Sequence, residues 1–239
     1  MNVVISQPML FPWVGMLEQV RLAHTYVHYS DVQFSKGSFV NRVQIKTAQG
    51  IKWMTVPVSF SLGQRIDGTR IDGKRDWRQS HLSMLTDAYA TCPFVGDMLA
   101  MVRSVYDHDY PSIGRLSEAS LMASCRYFGF DRDCSFLHSD QFGIDGASSR
   151  RVLDIALAVG GTRYITGHGA RNYLDHGLFE AAGVRVEYMD YQRLPYPQQH
   201  GAFTPYVSVL DLIANCGPDG GRFICSGSIY WKEFIDGSE

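Results

Sequence analysis

The sequence predicts an α/β protein with a parallel central sheet and helices on both faces, a three-layer, Rossmann-like arrangement. Short apolar runs recur with helical patterns between them: Val3 to Ser6, then Trp13 to Ala23, then Tyr26 to Tyr29, and later Cys134 to His138, Arg163 to Thr166 and Val184 to Tyr188. The runs are rich in β-branched and aromatic residues, whereas the intervening stretches repeat apolar residues every three or four positions. Strands alternating with helices in this way pair in parallel through crossover connections. Composition agrees, because 239 residues that are 45% apolar and 13% aromatic can bury a sizeable core, with a folded surface of roughly 11,000 Å². A balance of 22 basic and 24 acidic residues, net charge -2, excludes disorder and a strongly basic nucleic-acid arm.

Each element has a local cause. Val3-Val4-Ile5-Ser6 reads as a buried strand, after which Pro8 and Pro12 forbid regular structure until about Trp13. Trp13, Met16, Leu17, Val20 and Leu22-Ala23 then form the apolar stripe of a helix, with Pro12 suited to its first turn. Residues 41–46 and 51–58 alternate around Thr47-Ala48-Gln49-Gly50, which predicts a β-hairpin. Asp67-Gly68 and Asp72-Gly73 mark turns before helices at about 77–90, 95–106 and 115–128. These make a helical subdomain at about 76–130 within a single domain spanning 1–239. Helices follow at Ser149 to Val159, ending at Gly160-Gly161, and at Leu178 to Ala182, ending at Gly183. A loop at Pro195-Tyr196-Pro197-Gln198-Gln199, a helix near Val207 to Asn215 and a Gly-rich segment complete the chain.

Several classes drop out. Cys92, Cys125, Cys134, Cys216 and Cys225 are odd in number and show neither a disulfide framework nor a paired metal spacing. His24 and His28 have helical zinc spacing but fall at a strand, where four positions span over ~10 Å, so no metal site is expected. No apolar stretch reaches the ~20 residues of a membrane span, and no leader precedes Val3, so a cytoplasmic protein is expected.

Three loops follow predicted strands and carry chemistry, and parallel sheets bind ligands at strand carboxyl ends where the winding reverses. In the first, Ser6 to Gly15, Gln7 can hydrogen-bond a ligand and Trp13 can stack on a base or sugar. The second runs from Asp31 through Gln33 and Lys36 to Asn41 and Arg42, with Lys46 close behind. A carboxylate beside such cations suits a phosphorylated or amine-bearing substrate, and Arg42 can grip phosphate in a fork. The third, Thr166 to Leu174, offers Gly167 for close backbone approach, His168 as a titratable group, Arg171 as a fixed charge, and Tyr173. Asp31 and His168 are both candidates for the proton acceptor. Tyr196 and Gln198 are added from the Pro-rich loop.

The order of Ile5-Ser6-Gln7-Pro8, Phe11-Pro12-Trp13, Asp31-Val32-Gln33-Phe34, Asn41-Arg42 with Ile45-Lys46, Val56-Pro57-Val58, Tyr164 to Gly167 with Tyr173-Leu174, and Tyr196-Pro197-Gln198 with Ser208 to Leu212 resembles the WbqC-like family of bacterial O-antigen and surface-polysaccharide gene clusters. The resemblance covers nearly the whole chain. It implies an aminoacyl (glycyl) or acyl transfer onto an amino sugar, with a nucleotide sugar or other phosphorylated small molecule as substrate. Ser6 stands where members often carry histidine. At the level of fold the chain is also similar to pantothenate synthetase and the nucleotidylyltransferases, which implies a nucleotidyltransferase-like core. Their His-x-Gly-His signature is replaced here by Phe11-Pro12-Trp13-Val14-Gly15. The resemblances leave open ATP or another activated donor, including aminoacyl-tRNA, as the co-substrate. Alternatives are a nucleotidylyltransferase, an adenylate-forming ligase, or a non-catalytic sugar-nucleotide binding protein.

Overall fold

The computed structural model describes residues 1–236 and has a six-stranded sheet at its centre. Strand β1 (Asn2–Ser6) lies in the middle, paired in parallel with β2 (Thr25–His28) on one side. The helix α1 (Val14–Leu22) makes the connection between them. After β2 come the hairpin β3 (Arg42–Thr47) and β4 (Gly50–Thr55), then the two-residue pair β5 (Val58–Ser59) and β6 (Arg70–Ile71). Three helices follow, α2 (Trp77–Tyr89), α3 (Val95–Tyr106) and α4 (Ile113–Phe128). Asp76 and Ser112 cap α2 and α4 through their side chains, and Gly129 ends α4 in the left-handed conformation that glycine adopts without steric cost.

The chain then re-enters the sheet at β7 (Ser135–His138), parallel to β2. The helix α5 (Ser148–Ala158) carries it back to the other side of β1, where β8 (Arg163–Thr166) pairs. Beyond α6 (His176–Ala181) lies β9 (Arg185–Asp190), parallel to β8. After α7 (Val209–Cys216), β10 (Gly227–Tyr230) closes the edge antiparallel to β9, and α8 (Trp231–Asp236) follows. The resulting order, β10-β9-β8-β1-β2-β7, makes the winding reverse between β1 and β8. A crevice opens between two such strands because their crossovers leave in opposite directions.

The core divides along the sheet. Val4, Met16, Leu17, Tyr26 and Ile165 pack beneath α1 together with the helical middle and α7, while Val3, Ile5, Val27, Ile155, Tyr164 and Val186 pack beneath α5 and α6. Neighbouring strand residues thus serve opposite layers, which is why β1, β2, β8 and β9 are buried along nearly their whole length. The total accessible surface, 10979 Å², matches the size expected of a 239-residue globule. Among the described residues, no helix is long and apolar enough to cross a membrane.

The expected elements are present with ends shifted by one or two residues, except that the second hairpin strand, expected over 51–58, ends at Thr55 ahead of Pro57, and Val58 enters a separate strand. Two were not expected: the short β5–β6 pair, and β10 with α8, which occupy the Gly-rich end.

Candidate functional site

A cavity of about 550 Å³ opens over the carboxyl ends of β1 and β8, where the winding reverses. Ile5, Ser6 and Gln7 leave β1 into it, and Thr166, Gly167, His168 and Gly169 leave β8. Trp13, Met16 and Gln19, Tyr29, Val152 and Tyr173, and Tyr191, Arg193 and Tyr206 complete the lining.

The Trp13 ring lies 4.9 Å from Tyr191 and 5.8 Å from Tyr206, so three aromatic side chains meet at one wall. Gly15 makes this possible: a Cβ there would lie 2.3 Å from the indole. Trp13 is also tethered through a bridge to Ser208. Gln19 donates its side-chain amide to the Tyr191 hydroxyl at 3.1 Å, and burial pushes that phenol well above its usual value. No side chain caps α1, and its first turn holds no acidic residue. Arg193 stacks over Tyr206 at 5.4 Å with φ at 50°, a left-handed backbone uncommon for a side-chain-bearing residue.

His168 is held by one specific bond. Its Nε2 lies 2.6 Å from the Met189 carbonyl oxygen, so Nε2 carries the proton and Nδ1 keeps the lone pair in the neutral ring. Tyr191 and Phe234 flank the imidazole at 4.9 and 4.7 Å. Among the described residues no Asp or Glu lines the cavity, whose polar side chains are hydroxyls, two amides, one imidazole and one guanidinium.

The structure brings together Gln7, Trp13, Gly167, His168 and Tyr173 from the residues the sequence singled out, but leaves the others elsewhere. Asp31 lines a neighbouring depression of about 300 Å³ with Arg65, Asp140 and Arg151; its carboxylate pairs with Arg151 and accepts from the Ser139 hydroxyl. Gln33 bridges to Arg65, and Lys36 is exposed. Asn41 is buried and donates to the Val56 carbonyl at 2.9 Å. Lys46 is buried with its ammonium on Gln198 Oε1 at 3.0 Å and the carbonyls of Gly201 and Ala202 at 3.2 and 2.6 Å. Tyr196 donates to Asp211 at 2.9 Å, and Gln198 donates to the Thr204 carbonyl. Lys46, Tyr196 and Gln198 tie the loop between β9 and α7 to the hairpin and the core. Arg171 lies over Phe234 at 5.9 Å, outside the cavity lining. Arg42 stacks on Trp53 at 4.0 Å on the outer face of the hairpin.

Tyr29, Gln19, Tyr191, Arg193 and Tyr206 line the cavity and were missed. The signal for Tyr191 and Arg193 was present, since they directly follow β9, a predicted strand end in the same parallel sheet. Tyr206 had no local signal. Among the described residues, no group of three or more His, Cys, Asp or Glu side chains is placed to hold a metal.

Fold and cavity together define a doubly wound α/β protein with an open cavity at its switch point. The model of the WbqC-like protein family matches residues 7–223, and the chain belongs to that family. It is 29% identical over 227 residues to a Mycobacterium tuberculosis protein described as uncharacterized, covering 93% of this chain and 97% of that one. No solved structure matches it.

Proposed function

We propose that the protein is a transferase of bacterial surface-glycan synthesis, which moves an acyl or aminoacyl group onto the amine of a nucleotide-linked amino sugar held in the cavity. The observation that carries this reading is the cavity lining: three aromatic rings packed at a tilt, several hydroxyls, one Arg and one His, and no carboxylate among the described residues. Aromatic faces and hydroxyl-rich walls suit a base and a sugar, while Arg193 suits a pyrophosphate.

In this scheme the sugar amine attacks the carbonyl carbon of an activated acyl donor, a nitrogen–carbon bond forms, and the bond to the donor's leaving group breaks. Nδ1 of His168 takes the proton released from the amine and returns it to the leaving group. The bond from Nε2 to Met189 fixes the tautomer this requires. Asp31 suits the role less, because Arg151 and Ser139 already occupy its oxygens.

The test is incubation with a nucleoside-diphosphate amino sugar and an activated glycyl or acyl donor, followed by mass spectrometry of the sugar nucleotide. The expected product is heavier by one acyl group on nitrogen, and His168→Gln abolishes it. Tight binding of the sugar nucleotide with no product from aminoacyl-adenylate, thioester or aminoacyl-tRNA donors would leave a binding protein instead.

A further inference from the structure

The hairpin β3–β4 turns Val43, Ile45 and Met54 inwards against the core, whereas Arg42, Gln44, Lys46, Ile51, Trp53 and Thr55 share the opposite face, which the 198–202 loop covers at Lys46 and leaves open at Ile51 and Trp53. Phe39 packs on Trp53 with ring centres 5.7 Å apart, and the Arg42 guanidinium lies 4.0 Å above the indole. Gly37, at φ 75°, makes room for that guanidinium, since a Cβ there would come within 3.1 Å of it. Phe39, Ile51 and Trp53 remain 44%, 43% and 39% exposed, an unusual density of bare apolar surface on a two-stranded ribbon.

Charge identifies what fits there. Between Asp31 and Asp67 the chain contains no acidic residue but five cations, Lys36, Arg42, Lys46, Lys52 and Arg65, although its overall net charge is -2. Lys46 is consumed internally, but Lys36, Arg42 and Lys52 form no ion pair among the described residues. The Arg42 Nε is buried and has no hydrogen-bond acceptor. A guanidinium held over an indole, with a second aromatic ring beside it and Lys36 three residues before that ring in sequence, has the donors for phosphate and the faces for stacked bases.

We propose that this hairpin face binds a short single-stranded RNA segment, with Trp53 and Phe39 stacking bases and Arg42 and Lys36 contacting the phosphates between them. The face is physically joined to the cavity, because the Leu10 amide bonds the Phe39 carbonyl at 3.0 Å and the neighbouring Met9 lines the cavity. The proposal does not depend on the transferase reading and goes beyond it.

The test is fluorescence anisotropy with a labelled single-stranded 12-mer RNA of mixed sequence, at low and moderate salt, with Trp emission followed in parallel. Saturable binding that quenches Trp emission is expected, with Trp53→Ala weakening it by about tenfold or more and Trp53→Phe retaining most of it. Arg42→Ala should reduce the salt slope by about 1. Matching far-UV spectra and melting temperatures show that the variants are folded. Equal affinity of folded Trp53→Ala and wild type overturns the proposal. So does absence of saturable binding, preference for duplex RNA of the same sequence, or complete competition by UDP at the concentration where it occupies the cavity.

Discussion

The Nε2 of His168 lies 2.6 Å from the main-chain oxygen of Met189, the residue paired with Ser228 on the neighbouring antiparallel strand. A carbonyl accepts only, so the ring presents Nδ1 as its basic nitrogen, and the strand that β10 braces holds the imidazole in place. His168→Gln should therefore lower turnover by ~10²–10⁴-fold while leaving sugar-nucleotide affinity within about twofold. Steady-state turnover and calorimetric affinity on the same preparation check this. Parallel loss of both would make His168 a binding residue.

The indole of Trp13 occupies the space that a Cβ on Gly15 would need. Alanine favours a helix over glycine by about 1 kcal/mol, so Gly15→Ala should keep or raise the melting temperature while pushing Trp13 off its seat beside Tyr191. Ligand affinity is expected to fall by about tenfold. A thermal scan alongside calorimetry decides it: unchanged affinity would show that the indole position does not matter.

Asp31 and Arg151 form a pair with side chains only 7% and 9% exposed, and Tyr29, which lines the cavity, lies under the guanidinium at 5.1 Å. Removing Arg151 leaves a buried carboxylate uncompensated, so Arg151→Ala should cost ~3–5 kcal/mol, and adding Asp31→Ala should recover part of that loss. Urea denaturation of the two single variants and the double variant gives the coupling. If Asp31→Asn keeps its stability but abolishes turnover, Asp31 is the base rather than a strut.

Two histidines control acid stability. His28 is buried against His138 at 5.1 Å, and burial, followed by the neighbouring His138 and Arg115 charges, lowers its pKa from 6.5 to about 3. Burial lowers His81 to about 4, with its ring nitrogens bonded to the Tyr106 hydroxyl and the Thr55 carbonyl. A depressed histidine pKa means that the unfolded chain binds the extra proton. Stability is complete above about pH 6.5 and lost as pH falls towards 3–4, at up to ~1.4 kcal/mol per pH unit for each group. The urea midpoint should drop between about pH 7 and 5, and less steeply in His28→Phe, which preserves the ring stack. A flat wild-type midpoint over that range contradicts the assignment.

The parallel α/β sheet was legible because it is buried on both faces: short apolar and aromatic runs at β1, β2, β8 and β9 mark the strands, and the switch-point rule then points to Gln7 and Gly167, whereas the strand order comes from the structure. Side-chain destinations in the inserted segments were not legible. Lys46 and Gln198 are 152 positions apart, and a lysine in an alternating hairpin gives no local sign that it will fold back onto the 198–202 loop. Tyr206 belongs to a loop whose placement depends on the Trp13–Ser208 bridge. The edge strand β10 is four residues long and begins with glycine, so propensity does not reveal it; antiparallel pairing with β9 does.

In the proposed reaction the cavity between β1 and β8, rather than the hairpin, holds the sugar nucleotide. Isothermal titration of a UDP-linked amino sugar into wild type, Arg193→Ala and Arg42→Ala separates the two places. Arg193 lines the cavity while Arg42 lies on the hairpin face. Arg193→Ala is predicted to weaken binding by roughly 1.5–3 kcal/mol, about ten- to a hundredfold or slightly more, and Arg42→Ala to leave it within twofold. Full affinity in Arg193→Ala together with loss in Arg42→Ala would move the substrate site to the hairpin and contradict the account.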